Sequence, residues 1–384
     1  MNNMLDSGRC SIIYVIDPPH LVSPAAPLLI SLRKHHPDAV IIPYCPKGTL
    51  QDIPERVRKF HQDMNAPIRE LTRELAFNRR RYNKPYLHGN KILAVAERRD
   101  TEFCIFIDTD TYITCPMDDP RLFQTDAVGV VPESVAGFAR RFIEVWDATY
   151  AIFGLKTPEE RVRMLRTDRE HPPYFNAGFV AFPEVTPSGD RFGELWLDTA
   201  MTLDFDDSVD DEAKRPWLDQ ASLPVAIARS GARYEELGPE FNYPVDGKDF
   251  PPGPQIRMYH YHGIERLQEA DHTAELEDLL VGSGLFRSLD HYLEPLNEKR
   301  KHAAVFWQQI GDEAASRREL KQQMAEADRS EDAKFKKLLK ESKHREQKLR
   351  KECALIVEDK YYDADWLIRK PAKARKVAVS TTSK

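Results

Sequence analysis

The chain of 384 residues has no apolar run near the ~18 residues a helix needs to cross a bilayer, so a membrane-spanning helix is not expected. Met1 to Arg9 has no basic region leading into a long apolar stretch. Ile12 to Ile16 is only strand-length, so no secretory signal is expected either. Cysteine is scarce, with five residues (Cys10, Cys45, Cys104, Cys115, Cys353), odd in number and never spaced C-x-x-C. Three of them sit in or beside strand-like runs. They read as small buried hydrophobes in a reducing compartment, and a cytoplasmic location is expected. Acid is absent from the end of the chain, where Arg369–Lys384 holds six basic residues.

Apolar residues make up 41% and charged residues 31%, as in a globular protein with one heavily charged portion. The net charge of −6 hides a split. Residues 298–384 contain 23 Lys and Arg against 15 Asp and Glu, a net of +8, and the remainder carries −14. Three regions are therefore expected: a catalytic domain over 10–296, a charged helical extension over 297–368, and a basic, disordered tail over 369–384. The extension is polar and helical from about Glu298 to Cys353, with few breakers and a weak heptad signal. It suits solvent bridging, loose pairing with a partner such as a second copy, or packing of one narrow stripe on the body. The tail offers a weak electrostatic hold on an anionic membrane face.

Residues 10–130 alternate strand-like and helix-like segments. Cys10–Ile16, Val40–Tyr44, Phe103–Ile107 and Ala127–Val131 read as strands. Pro24–His36 and Gly89–Arg99 have helical spacing. Further on, Ser134–Phe153, Pro158–Arg166, Gly193–Leu203 and Trp217–Arg229 read as helices, Asp204–Asp211 as a solvated acidic loop, and Gly178–Phe182 and Ile256–Tyr259 as strands. Such alternation predicts an α/β fold with a mostly parallel central sheet and flanking helices. Ligands of open sheets bind beyond the carboxyl ends of the strands.

One such end stands out. The buried run Phe103–Ile107 stops at Asp108-Thr109-Asp110. Side chains two apart in an extended segment point the same way, so Asp108 and Asp110 aim at one point. Two hard oxygen ligands suit Mg²⁺ or Mn²⁺, which typically bridge to substrate phosphates. A turn or capping role is the plainer alternative.

The stretch resembles the D-x-D motif of nucleotide-sugar glycosyltransferases with the GT-A fold, which is Rossmann-like. Tyr174-Phe175-Asn176-Ala177-Gly178-Phe179 resembles the F-N-A-G segment of the retaining family that includes glycogenin and lipopolysaccharide galactosyltransferases. Asp219-Gln220 resembles that family's D-Q pair. Phe241-Asn242 after Pro239 is similar to its L-P-x-x-[FY]-N element, and His260-Tyr261-His262-Gly263 to its H-[FY]-x-G. Lys91, in Asn90-Lys91-Ile92-Leu93-Ala94, sits where the family carries a basic residue before the D-x-D strand. The family's K-P-W after H-x-G is missing; Ile264-Glu265-Arg266-Leu267 follows instead. The nucleotide loop Asp17-Pro18-Pro19-His20 is unusual too.

The resemblance implies a metal-dependent hexosyltransferase that uses a nucleotide sugar, usually UDP-linked, with retention. Its acceptor would be a glycan, a lipid-linked sugar or a protein, with no nucleic-acid partner. Asp108, Asp110 and His260 would be the metal ligands, and the imidazole tilts the site toward Mn²⁺ over Mg²⁺. Lys91, Asp108, Thr109, Asp110 and His262 would hold the donor. If the segment is extended, His262 points to the face opposite His260. Asn176, Asp219 and Gln220 would handle the donor sugar, with no covalent role assigned. A nucleotidyltransferase on a related fold would use the same aspartates with a nucleoside triphosphate. A non-catalytic scaffold would rely on the C-terminal helix. In a phosphatase with a strand-end D-x-D, a threonine would stand where Tyr112 is. A glycosidase needs its two carboxylates on either side of the scissile bond.

Overall fold

In a computed structural model the described residues are 4–18, 21–74, 86–138, 144–209, 214, 217–245, 255–262, 273–285, 289–326 and 331–358. The first half alternates β1 (Cys10–Val15), α1 (Ala25–His35), β2 (Val40–Cys45), α2 (Glu55–Asp63), β3 (Arg69–Glu70), α3 (Gly89–Ala96), β4 (Phe103–Ile107), β5 (Thr111–Ile113) and β6 (Ala127–Pro132). After these come α4 (Glu144–Ala151), β7 (Val162–Arg163), β8 (Glu170–His171), β9 (Phe175–Pro183), α5 (Phe192–Phe205), α6 (Leu218–Arg229), β10 (Arg233–Glu236), β11 (Tyr243–Pro244) and β12 (Met258–His260). The last elements are α7 (Thr273–Gly282), α8 (Leu289–Glu326) and α9 (Asp332–Glu358).

The expected α/β architecture is present. Seven strands form one sheet in the order β10-β6-β9-β4-β1-β2-β3. β9 alone runs against its neighbours, β4 and β6. β1 and β4 are buried on both faces, which is why they read as unbroken apolar runs rather than alternating ones. The period of two still shows in the packing. Ile12, Tyr14, Ile105 and Ile107 join one core with α1 and α2. Ile13, Val15, Cys104 and Phe106 join the other, with α3, α5 and α6. A smaller sheet, β11-β12-β5, pairs His260 with Thr111 and so brings the late histidine beside the strand-end aspartates.

Three readings need correction. Pro158–Arg166 is no helix; β7 and β8 form a short antiparallel pair there, their backbone bonds made to each other rather than within a turn. Only Glu144–Ala151 of Ser134–Phe153 is helical among its described residues. β5 and β10, both short, carry too weak a pattern to be seen in the sequence. The C-terminal extension is two helices: α8 ends at Glu326 and α9 begins at Asp332. They pack on each other, Glu313 bonding Ser342 and Arg345. α8 starts at Leu289 and runs through residue 297. Pro19, His20, Gly263, Arg266, residues 75–81 and the tail Arg369–Lys384 lie outside the described residues. No described helix is long and apolar enough to cross a membrane.

Candidate active site

The parallel strands end along one edge of the sheet, and the polar side chains gather there. β4 delivers Asp108, Thr109 and Asp110; β6 ends one residue before Glu133. β9, running the other way, starts at that edge and places Asn176 there. Its register slips between Val130 and Val131: Val130 faces Val180, whereas Val131 faces Asn176. Such a bulge bends a strand and re-aims a side chain. All nine residues singled out from the sequence line one cleft of about 490 Å³: Lys91, Asp108, Thr109, Asp110, Asn176, Asp219, Gln220, His260 and His262.

Every residue of α3 is buried, so the helix carries Lys91 into the interior, where an ammonium is tolerated only when paired. Its Nζ lies 2.9 Å from Asp108 Oδ1 and 3.2 Å from Asp219 Oδ2. Burial works against the Lys91 charge, but Asp108 and Asp219 outweigh it and hold its pKa above the ordinary lysine value. Burial likewise opposes the Asp219 charge, and Lys91 more than compensates, keeping that carboxyl below its usual range. Tyr86 Oη donates to Asp219 Oδ1 at 2.7 Å and accepts from the Asp219 amide at 3.0 Å. The Thr109 hydroxyl donates to the Val15 carbonyl and so ties the end of β1 to the turn.

The second cluster surrounds Asp110. His260 Nε2 lies 3.3 Å from Asp110 Oδ1 and 4.0 Å from Asp108 Oδ2. His262 is not on the opposite face. Its φ of 54° breaks the extended backbone after β12 and turns the ring back, so the two imidazole centroids lie 3.9 Å apart. His262 Nδ1 then stands 3.9 Å from Asp110 Oδ2. One ligand atom from each of Asp110, His260 and His262 lies within 4.8 Å of the others. Burial opposes the Asp110 charge, but His260 and His262 hold its carboxyl below the usual range.

Hydrogen bonds decide which nitrogen of His260 faces the cluster. Asn242 Nδ2 donates to Asn176 Oδ1 at 2.9 Å, so Asn242 Oδ1 is the acceptor for His260 Nδ1 at 3.0 Å. The Nδ1 proton is thereby committed, and Nε2 is aimed at Asp110. Two acceptors this close need a proton or a cation between them. Burial disfavours a second proton on His260, but Asp110 raises its pKa above the ordinary histidine value. The one carboxylate and two imidazoles of Asp110, His260 and His262 form a mixed O/N set that fits a divalent ion.

Glu133 is the residue the sequence reading missed. Its Oε2 accepts from Asn176 Nδ2 and from Gln220 Nε2, both at 2.8 Å, and its Oε1 accepts from the Ser134 amide at 2.6 Å. Burial pushes its pKa up. Tyr174 Oη donates to Gln220 Oε1. Each amide thus spends one of its two N–H hydrogens on Glu133. The missed signal was the one used for Asp108, a carboxylate directly after a buried strand. Gly178 sits among these groups. A Cβ there would lie 2.8 Å from Asn176 Oδ1, 2.9 Å from Asp108 Oδ2 and 2.9 Å from His260 Cε1.

Residues 12–231 match the model of the Rhodobacterales glycosyltransferase domain. No curated protein matches the sequence. Among solved structures, apo mouse xyloside xylosyltransferase 1 superposes with a TM-score of 0.42 at 11% identity, covering 65% of this chain and 97% of that one. An active-site mutant of LgtC superposes with a TM-score of 0.41 at 13% identity, covering 70% of this chain and 94% of that one. With more than half its length matched by that family model, the chain belongs to the Rhodobacterales glycosyltransferase domain family and is a glycosyltransferase.

Proposed function

We propose that the cleft moves a hexose from a UDP-linked donor to an acceptor hydroxyl, in the GT-A manner and with retention of configuration. Asp108, Asp110 and His260 would hold a divalent ion, Mn²⁺ in preference to Mg²⁺, with His262 alongside. When bound, the ion neutralises charge on the departing diphosphate. Lys91 supplies a second, protein-borne positive charge. Asp219 and Tyr86 keep that ammonium in place rather than attack the sugar. Glu133 orients the amides of Asn176 and Gln220 toward the sugar hydroxyls. Asp219 is committed to Lys91 and Tyr86, and Glu133 to three N–H donors. Neither is poised as a covalent nucleophile, which supports a reading without a glycosyl-enzyme intermediate. Residues 10–296 would form the catalytic unit, and residues 297–368, which hold α9 and all but the first turns of α8, an extension for self-association. The basic tail would touch anionic membranes weakly, and the acceptor would be a glycan, a lipid-linked sugar or a protein.

The observation that carries this reading is His260 Nε2 facing Asp110 at 3.3 Å while its Nδ1 proton is spent on Asn242. That arrangement is built to share a cation, beside a lysine suited to phosphate. The test is thermal shift across nucleotide sugars with and without Mn²⁺. One UDP-sugar at 100 times its Kd should stabilise the fold by about 2.7 kcal/mol, and only with the ion. Asp110→Ala should abolish the shift while the fold persists. No metal-dependent shift from any nucleotide sugar would refute the proposal. Release of pyrophosphate from a nucleoside triphosphate would favour a nucleotidyltransferase instead.

A further inference from the structure

The cleft has an apolar feature that the donor-handling groups do not use. Five large apolar side chains are well exposed among the described residues: Leu87, Val185, Phe205, Trp217 and Val281. Two of them, Leu87 at 49% and Trp217 at 39%, line this one cleft, where Val15, Leu21 and Phe106 add apolar wall beside the carboxylates, amides and imidazoles. Apolar surface left open beside convergent polar groups marks a place where a ligand supplies the cover.

The indole is held in place. Trp217 is the N-cap of α6, its carbonyl accepting from the Ala221 amide at 2.7 Å. Asp219 and Gln220 follow at once on the same helix. The backbone of Gly137 lies against the ring: a Cβ there would come 2.6 Å from Cε2, 2.7 Å from Cδ2 and 3.0 Å from Nε1. Those atoms lie at and beside the ring fusion. One side of the indole is therefore covered by main chain, and the rest of the ring supplies the exposed area. On the other wall Leu87 precedes the helix that bears Lys91.

We propose that Trp217, flanked by Leu87, is the platform for the acceptor, and that the acceptor group lying on it is a pyranose ring. This rests on the donor reading above. A pyranose has a C–H face that can cover an indole, while its hydroxyls point to the rim, where this cleft is polar. The donor has its own anchors in Lys91, the Asp110 cluster and the amides braced by Glu133. Gln220 and Trp217 share the start of one helix, so a sugar on the indole lies next to the donor sugar. A purely apolar aglycone would leave the surrounding carboxylates facing hydrocarbon.

The experiment uses the full chain, Mn²⁺ and the UDP-sugar found by thermal shift, with a panel of methyl pyranosides as acceptors. Trp217→Ala should raise the acceptor KM at least tenfold and move the donor Kd far less. Trp217→Phe keeps a flat face and should recover most of the loss. Gly137→Ala keeps the indole but displaces it, and should raise the acceptor KM like Trp217→Ala. An unchanged acceptor KM in Trp217→Ala, or a donor Kd that rises as much as the acceptor KM, overturns the platform. If Trp217→Ala fails to fold, Trp217→Phe and Gly137→Ala decide: an acceptor KM unmoved in Gly137→Ala overturns it. Donor binding by the wild type without transfer to any methyl pyranoside overturns the pyranose assignment alone. A wild type that binds no nucleotide sugar removes the donor reading, and the platform with it.

Discussion

Asn242 is the residue whose loss should separate metal binding from folding. It is buried, 3% exposed. Its Oδ1 accepts the His260 Nδ1 proton at 3.0 Å, and its Nδ2 reaches Asn176 Oδ1 at 2.9 Å. In Asn242→Ala, the buried Nδ1–H loses its acceptor, which costs about 1–3 kcal/mol of stability. Asn176 Oδ1 keeps its bond from the Gly178 amide at 2.8 Å and loses less. The imidazole is then free to carry its proton on Nε2, presenting N–H rather than a lone pair to the Asp110 cluster. Removing the group that orients a ligating histidine typically weakens metal affinity about 10–100-fold, or about 1.4–2.7 kcal/mol. Calorimetric titration with Mn²⁺ measures this directly and needs no turnover. Asn242→Asp retains an acceptor for Nδ1 and should bind Mn²⁺ within a few-fold of the wild type. Equal Mn²⁺ affinity in Asn242→Ala and wild type would refute the orienting role, whatever the stability change.

Three further outcomes follow from the geometry. Gly178→Ala should fold yet lose Mn²⁺-dependent donor binding tenfold or more by thermal shift, because the new Cβ falls among Asn176, Asp108 and His260; retained binding would show that this space is not used. His61 is fully buried with its Nδ1 on the Val57 carbonyl, and burial lowers its pKa from 6.5 to about 4. Below pH 6.5 the unfolded chain takes up a proton that the folded one refuses, so stability present above that pH falls toward pH 4, by about 3 kcal/mol. His61→Phe should flatten this part of the urea-melt profile, and an unchanged slope would count against it. Glu184 pairs with buried Arg99 at 2.6 Å and with Arg191 at 2.9 Å, and Arg99 also caps α3 through the Ala94 and Val95 carbonyls. Glu184→Ala should cost about 3–5 kcal/mol in urea unfolding, and a loss under about 1 kcal/mol would refute the pairing argument.

Much of the fold was legible because its signals are local. Phe103–Ile107 and Cys10–Val15 are apolar on both faces, which only a doubly covered strand requires, and the alternation with helices implied the parallel sheet. The strand-end rule placed Asp108 and Asp110 at the edge where β1 and β4 end, and the ordered motifs pointed to seven more residues that line the same cleft. Local signals failed where backbone partners come from afar or where pattern is short. The turn region Pro158–Arg166 looked helical, but its bonds go to a second strand. β5 and β10 are too short to carry a period.

By itself, then, the sequence placed the paired aspartates at a strand end and pointed to nine residues that line one cleft, because strand ends and short motifs are properties of neighbouring residues. Only the tertiary structure decided how those residues divide the work. Lys91 binds Asp108 and Asp219, so the paired aspartates are not equivalent. One positive φ at His262 reversed the face expected from an extended segment. Glu133 joins Asn176 and Gln220 from distant parts of the chain, and Asn242 settles the His260 proton. Each of these depends on a single dihedral or on a hydrogen bond between residues far apart in the chain, and neither leaves a periodic trace in the order of amino acids.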